Sequence, residues 1–169
     1  DPKPFHPNKY AHCFCLKPNL NEAIQLSGTT DLTNIFTTLT KNLECKNILV
    51  TCDKNGMYLN SIENHIQNDY DSSKTVNVVG CGDVVLSVIV YMYYLYQDLF
   101  KASKIANYIT TNKTIQCIGN YKITKNDITE AMEWESQLQS KKIACDITSK
   151  SNTNKVLYDY ELEKIRQIS

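Results

Sequence analysis

The sequence predicts an α/β fold with a largely parallel sheet, and three features carry this prediction. Predicted strands and helices alternate along the chain. Ile48-Leu49-Val50 is a compact apolar run between polar residues, which is typical of a buried parallel strand. The apolar segment 76–79 runs directly into a glycine turn and then a long apolar helix, an order typical of such folds.

The first third of the chain predicts a short strand followed by two amphipathic helices. Residues 11–16 alternate weakly between apolar and polar side chains, which favours a strand. Apolar residues at helical spacing cover 20–26, and Gly28 closes that helix. A second helix is expected from a cap at Asp31 to about Leu43.

The remaining elements alternate in the same way. We expect a buried strand at 46–52, a turn at 53–56 and a hairpin-like strand at 57–62, followed by a polar surface segment at 63–74. A strand at 76–79 then leads to an apolar helix containing 84–96, and two further helices are expected at 101–117 and 127–141. Residues 148–154 have the composition of a linker, and 158–168 favour a short helix. We therefore expect one domain over 1–147 and a linker or tail over 148–169.

Composition argues against several classes of function. Lysine plus arginine (18) equals aspartate plus glutamate (18), so the chain has no general attraction to nucleic acid or to an anionic membrane. The longest apolar run, 84–96, is shorter than a membrane span. The seven cysteines form no CxxC pair and favour free thiols over a metal or redox pair, which suits a cytoplasmic protein.

The stretch Gly80-Cys81-Gly82-Asp83 carries the clearest chemical signal. Two glycines allow a tight turn, and the unpaired N–H groups that open a helix favour a bound anion. A carboxylate at Asp83 would lie beside these N–H groups, where it can accept the proton of an attacking hydroxyl. The competing interpretation is that Asp83 only caps the helix.

Four boxes in order give the sequence a family resemblance. They are Asp-Pro-Lys at 1–3, Pro-Asn-Leu-Asn-Glu at 18–22, Val-Thr-Cys-Asp-Lys-Asn-Gly-Met at 50–57, and Val-Asn-Val-Val-Gly-Cys-Gly-Asp at 76–83. Up to about Ile128, the chain resembles the ribokinase-like (PfkB) carbohydrate kinases, most of all their heptose-phosphate kinase branch. The resemblance implies a three-layer α/β/α fold with a mostly parallel sheet, and a kinase that uses ATP and Mg²⁺ to phosphorylate a sugar or sugar phosphate.

The resemblance also implies roles for residues in the glycine turn and at the start of the chain. Asp83 matches the catalytic aspartate, and Gly80, Cys81 and Gly82 match the anion hole. Lys3, in the Asp-Pro-Lys box, is implied to bind the cofactor.

Further cofactor-binding residues are implied upstream and downstream of the turn. Asn19, Leu20, Asn21 and Glu22 match a box that works around the ATP phosphates, with Glu22 reaching hydrated Mg²⁺. Taken alone, Asn19 and Glu22 are more typical of a helix cap and a solvated helix face.

Nucleotide contacts are implied at four more positions. Thr51 and Gly56 match a strand-and-turn box near the nucleotide, although Gly56 is equally typical of a hairpin. Asn107 and Gly119 fall where the family lines its adenine pocket.

The first half of the family's domain, with its lid and most of its sugar contacts, is expected to lie outside this chain or in a companion chain, and a homodimer is a further possibility. Asn77 and Val79 stand where the family usually has Asp and Thr. These two features leave open a decayed, non-catalytic nucleotide-binding module as an alternative. A ribokinase-type or fructokinase-type activity is a third option.

Overall fold

A computed structural model describes residues 2–3, 6–68, 73, 75–118 and 121–141. Contacts divide the chain into two compact units, Asp1–Ala131 and Met132–Ser169. The candidate site lies in the first unit. The expected domain boundary at 147/148, the linker and the helix at 158–168 lie outside the described residues.

Strands and helices alternate through the first unit. In chain order they are β1 (Cys15–Leu16), α1 (Leu20–Ser27), α2 (Leu32–Leu43), β2 (Asn47–Thr51), β3 (Met57–Leu59), β4 (His65–Ile66), α3 (Cys81–Tyr96), α4 (Leu99–Asn112) and α5 (residues 125–141, which continue into the second unit). The α/β prediction is therefore confirmed.

The described sheet is mixed, with the order β1-β2-β3-β4. β1 pairs with β2 in parallel, with Cys15 opposite Asn47. β2–β3 and β3–β4 are both antiparallel. The expectation of a mostly parallel sheet is corrected for these strands, because the turn between β2 and β3 is too short for a parallel crossover.

Helices cover both faces of β2. Ile48 and Val50 are buried in a cluster with α1 and α2 residues such as Ala23 and Ile35. Leu49, between them in sequence, points to the other face, where it borders a hollow with Ile89 of α3. The alternation follows from the two-residue period of a strand.

The two helices after β1 form where their sequence signals place them. Gly28 ends α1 in the left-handed conformation (φ 72°), and its N–H donates to the Ile24 carbonyl. Asp31 caps α2, its side chain accepting the Asn34 N–H at 2.8 Å. Both predicted helices are confirmed, because caps and apolar spacing act locally.

The strand expected at 76–79 does not form. The N–H groups of Val76 and Asn77 both donate to the Ile115 carbonyl, at 2.7 and 3.1 Å. The Asn77 side chain then accepts the Val79 N–H at 2.9 Å, a local turn that competes with a ladder. Val78 is 67% exposed, so the valines that suggested a strand lie at the surface.

Other boundaries shift because of left-handed residues. His12 (φ 61°) interrupts the strand expected at 11–16, and Asn60 (φ 62°) ends the one expected at 57–62. The polar surface segment at 63–74 contains the short strand β4, which the sequence analysis missed. Within the described part of the chain, no helix has both the length and the apolar character of a membrane span.

Candidate active site

A cavity of about 690 Å³ opens where the parallel strands β1 and β2 end. The chain continues from β1 through Pro18 to Asn19, which bridges to Thr51 at the end of β2. Crevices at the carboxyl ends of parallel strands are the usual ligand sites of open α/β sheets. Among the residues predicted for function, the lining includes Asn19, Glu22, Thr51, Gly56, Cys81, Gly82 and Asn107.

Asn19 and Glu22 cap the N-terminus of α1 and also line the cavity. The Asn19 side chain accepts the Glu22 N–H at 2.9 Å, and the Glu22 carboxylate accepts the Asn19 N–H at 3.0 Å. This reciprocal pair is a capping box that begins α1. Since Glu22 gives one oxygen to the cap, its other oxygen is the one available to the cavity.

The glycine turn places a helix N-terminus at the same cavity. Gly80 adopts φ 82°, a conformation that favours glycine, and α3 begins at the next residue. The Cys81 N–H makes a long 3.3 Å bond to the Val78 carbonyl. The N–H groups of Gly82 and Asp83 have no partner among the described residues, so these two remain to bind an anion.

Asp83 lies in the first turn of α3 and is solvent-exposed. Its carboxylate makes no hydrogen bond to any described residue, so it does not act as the helix cap. Cys81, beside it, adds no negative charge at neutral pH, because burial raises the pKa of its thiol. An exposed, unengaged carboxylate next to free N–H groups is the arrangement that proton abstraction beside an anion requires.

Lys17 is a further cavity residue, near the Asn19–Glu22 box in sequence, and the sequence analysis did not predict it. Its residue is 5% exposed, and it borders both the cavity and the smaller hollow against α3. Burial lowers the pKa of its ammonium group, while the carboxylates of Glu22 and Asp83 act to raise it. The charges of both carboxylates therefore favour the protonated form of the Lys17 amine.

Thr51 and Gly56 also line the cavity. The Thr51 N–H donates to the Pro18 carbonyl at 3.0 Å, which fixes the two strand ends together. Gly56 is buried with φ 80°, and a Cβ there would collide with the Ile66 carbonyl oxygen. Glycine at 56 is thus required by the close approach of β4.

The remaining predicted residues are placed differently. Asn107 is buried in α4 at the cavity wall, and its amide donates to the Gln67 carbonyl at 3.1 Å. Leu20 packs against the core, and Asn21 is exposed outside the lining. The Lys3 N–H donates to the Tyr10 hydroxyl, and its side chain is not part of the cavity lining. Gly119 lies outside the described residues.

The donor set limits how a metal could be held. Across the residues that the structure describes, no group of three or more His, Cys, Asp or Glu side chains could enclose an ion. Mg²⁺ keeps several waters and is commonly held by substrate phosphates with one or two carboxylates. The single free oxygen of Glu22 fits that role and does not fit an all-protein metal cage.

A family model described as pfkB family carbohydrate kinase matches residues 6–121. The match covers more than half of the chain, and this chain belongs to the pfkB family of carbohydrate kinases. The expected family membership is confirmed.

Among individual relatives, the chain is 27% identical to the bifunctional protein HldE of Campylobacter curvus (strain 525.92), over 94% of this chain and 36% of that protein. The chain thus spans about a third of the length of that curated relative.

Solved structures give the fold. A probable sugar kinase from Rhizobium etli CFN 42 matches with a TM-score of 0.60 at 22% identity, over 72% of this chain and 36% of that one. Ribokinase from Thermotoga maritima matches with a TM-score of 0.61 at 16% identity, over 71% and 42%. The ribokinase-like fold is confirmed, and this chain forms part of it.

Proposed function

We propose that this chain carries the ATP-binding and catalytic half of a sugar kinase, with Asp83 as the base that activates the acceptor hydroxyl. The observation that carries the proposal is a single cavity lined both by Gly82, at the start of α3, and by the Asn19–Glu22 box, with Asp83 following Gly82 in the first turn of α3. Phosphoryl transfer needs positioning and charge stabilisation more than covalent chemistry, and these groups supply both.

The proposed division of labour follows from the charges. Asp83 accepts the proton of the sugar hydroxyl, whose oxygen attacks the terminal phosphorus of ATP while the bond from that phosphorus to the β–γ bridging oxygen breaks, giving the phosphorylated sugar and ADP. The N–H groups at the start of α3, in the anion hole Gly80–Gly82, face the negative charge that gathers on the transferred group. Lys17, which borders the same cavity, contributes a positive charge on which the carboxylates of Glu22 and Asp83 both act.

The size of the cavity supports a nucleotide as the ligand. The cavity volume of about 690 Å³ lies within the roughly 300–1,000 Å³ that is usual for small-molecule sites. Thr51, Gly56 and Asn107 are proposed to border the nucleotide, and Glu22 to reach hydrated Mg²⁺ through water. Bound Mg²⁺ would neutralise phosphate charge during transfer.

The substrate class is proposed from the family and from the curated relative. HldE is named a bifunctional protein, and the resemblance to the heptose-phosphate kinase branch favours a sugar phosphate as acceptor. We propose a cytoplasmic location, since the cysteines that the structure describes are free thiols.

The deciding experiment compares Asp83→Asn with the parent protein, using the full polypeptide, ATP, and a panel of sugars and sugar phosphates. The proposal expects kcat to fall by about 10²- to 10⁴-fold while nucleotide affinity, measured by calorimetry, is retained. Glu63→Gln is the matched control, because Glu63 is exposed and lies outside the cavity lining. Unchanged turnover in Asp83→Asn would refute the assignment of the base.

A non-catalytic nucleotide-binding module is the second candidate, favoured by Asn77 and Val79 standing where the family usually has Asp and Thr. It predicts that Mg·ATP binds with no transfer to any acceptor of the panel. Calorimetry and the transfer assay on the same preparation separate the two functions.

A further inference from the structure

Cys13 and Cys45, which lie just before β1 and β2 in the chain, meet at the end of these strands opposite the cavity. The Sγ atoms of Cys13 and Cys45 lie 3.1 Å apart, although the residues are 32 positions apart in sequence. Cys45 is buried at 4% exposure, and Cys13 is half-buried. Neither residue takes part in the proposed kinase chemistry.

The sheet register holds this pair in place. Cys15 is opposite Asn47 in the parallel pair β1–β2, so Cys13 and Cys45 occupy the next equivalent positions along the same two chain segments. The Lys46 N–H donates to the Cys13 carbonyl at 3.1 Å, which joins the two backbones directly beside the thiols. Backbone segments paired this closely fall within the Cα separations that disulfides bridge.

We infer that Cys13 and Cys45 form a redox-active pair that closes to a disulfide when the protein meets a small-molecule disulfide oxidant. Cys13 is the more accessible sulfur, so its thiolate attacks one sulfur of the oxidant and releases one small thiolate, giving a mixed disulfide. The Cys45 sulfur, after losing its proton, attacks the Cys13 sulfur and releases the second. The protein loses two hydrogens and two electrons, and the oxidant becomes two thiols.

The environment of Cys45 determines which of the two thiols reacts first. Its S–H lies 3.2 Å from the Tyr10 carbonyl oxygen, a neutral acceptor that favours the protonated thiol. Burial, together with the neighbouring Cys13 sulfur, raises the pKa of Cys45 to about 12. Cys45 is therefore a poor first nucleophile and acts only once the mixed disulfide lies in contact with it.

The nearest alternative partner of Cys13 in sequence is Cys15, the first residue of β1. The strand expected from sequence at 11–16 would place these two thiols on one face, so the sequence alone also allows exchange between them. Burial raises the pKa of Cys15 to about 11, and the described structure places Cys15 beside the hollow against α3. The contact distance thus selects Cys45 as the partner.

The experiment treats the full chain with glutathione disulfide, blocks free thiols, digests with trypsin and maps cross-linked peptides by mass spectrometry. The digest separates the two cysteine-containing segments, because Cys13 and Cys15 fall in peptide 10–41 and Cys45 falls in peptide 42–46. The inference expects these two peptides to be joined in the parent protein and in Cys15→Ser. It expects no such link in Cys13→Ser.

A second readout does not depend on the variants' folding. Oxidised parent protein is expected to melt at a higher temperature than the reduced form, with the shift reversed by dithiothreitol, because a cross-link restricts the unfolded chain. The inference fails if oxidised parent protein shows no link between peptides 10–41 and 42–46. It fails equally if Cys15→Ser abolishes the link.

Discussion

Asn19 and Glu22 hold each other through two reciprocal hydrogen bonds, of 2.9 and 3.0 Å, while both line the cavity. The structural and functional interpretations of this box are therefore compatible. The cap fixes the Glu22 side chain at the start of α1, and a fixed carboxylate loses less entropy when it meets a ligand. The same geometry makes it possible to separate the two roles by mutation.

Glu22→Gln should weaken Mg·ATP binding without destabilising the fold. Glutamine can keep the capping bond, so we expect the free energy of unfolding to change by less than about 0.5 kcal/mol. Loss of the charge should lower affinity for Mg·ATP by about 10- to 100-fold while leaving metal-free ATP less affected. Calorimetry with and without Mg²⁺ checks this, and Asp31→Asn at the cap of α2 is the control away from the cavity.

Lys17→Met should reduce turnover while sparing stability. A buried charge is costly to maintain, so replacing it with an apolar side chain of similar length should not lower the free energy of unfolding. Loss of the positive charge that Lys17 brings to the cavity should lower kcat by about 10²- to 10³-fold. Lys9→Met, on an exposed residue, is the comparison, and equal turnover in the two variants would remove Lys17 from the mechanism.

The local parts of the fold could be predicted from sequence because their causes are local. Asp31 and Gly28 specify helix ends through caps and left-handed backbone, and the Gly80–Gly82 turn specifies the start of α3. The match between predicted and observed bounds is closest in α2, where cap and apolar spacing agree.

The errors lie where tertiary contacts decide. Residues 76–79 are rich in valine, yet their N–H groups are taken by the Ile115 carbonyl and by the Asn77 side chain. Lys17 lies outside the four sequence boxes, and only the packing around β1 buries it. No local pattern reports either effect.

Gly56→Ala should destabilise the protein more than Gly28→Ala does. Both glycines have positive φ, but a Cβ at Gly28 meets nothing within 4 Å, whereas at Gly56 it collides with the Ile66 carbonyl. We expect a cost of about 1 kcal/mol at Gly28, from the left-handed backbone alone. At Gly56 we expect more than about 2 kcal/mol, because β4 must also move. Urea denaturation of both variants measures the difference, and equal midpoints would contradict it.

Thr124 and Asp127 should give the protein an acid-sensitive stabilisation. The Asp127 carboxylate accepts the Thr124 N–H and its hydroxyl, both at 2.7 Å, at the start of α5. Burial opposes ionisation, but these bonds, with a contribution from Tyr121, hold the pKa of Asp127 below its usual value. A carboxylate with a lowered pKa stabilises the fold above the pKa of the unfolded chain, about 3.9, and this contribution is lost as the pH falls through the folded-state value.

Thr124→Val tests this by removing the hydroxyl bond. The variant should be less stable than the parent at pH 7, and the gap should narrow below about pH 4 as Asp127 becomes protonated in both proteins. Thr37→Val is the matched control, because the Thr37 hydroxyl bonds only to backbone carbonyls of α2 and its loss should cost the same at either pH. Urea denaturation at pH 7 and at pH 3 compares each of the two variants with the parent protein. A gap for Thr124→Val that stays constant with pH would show that the threonine hydroxyl does not act through the carboxylate charge.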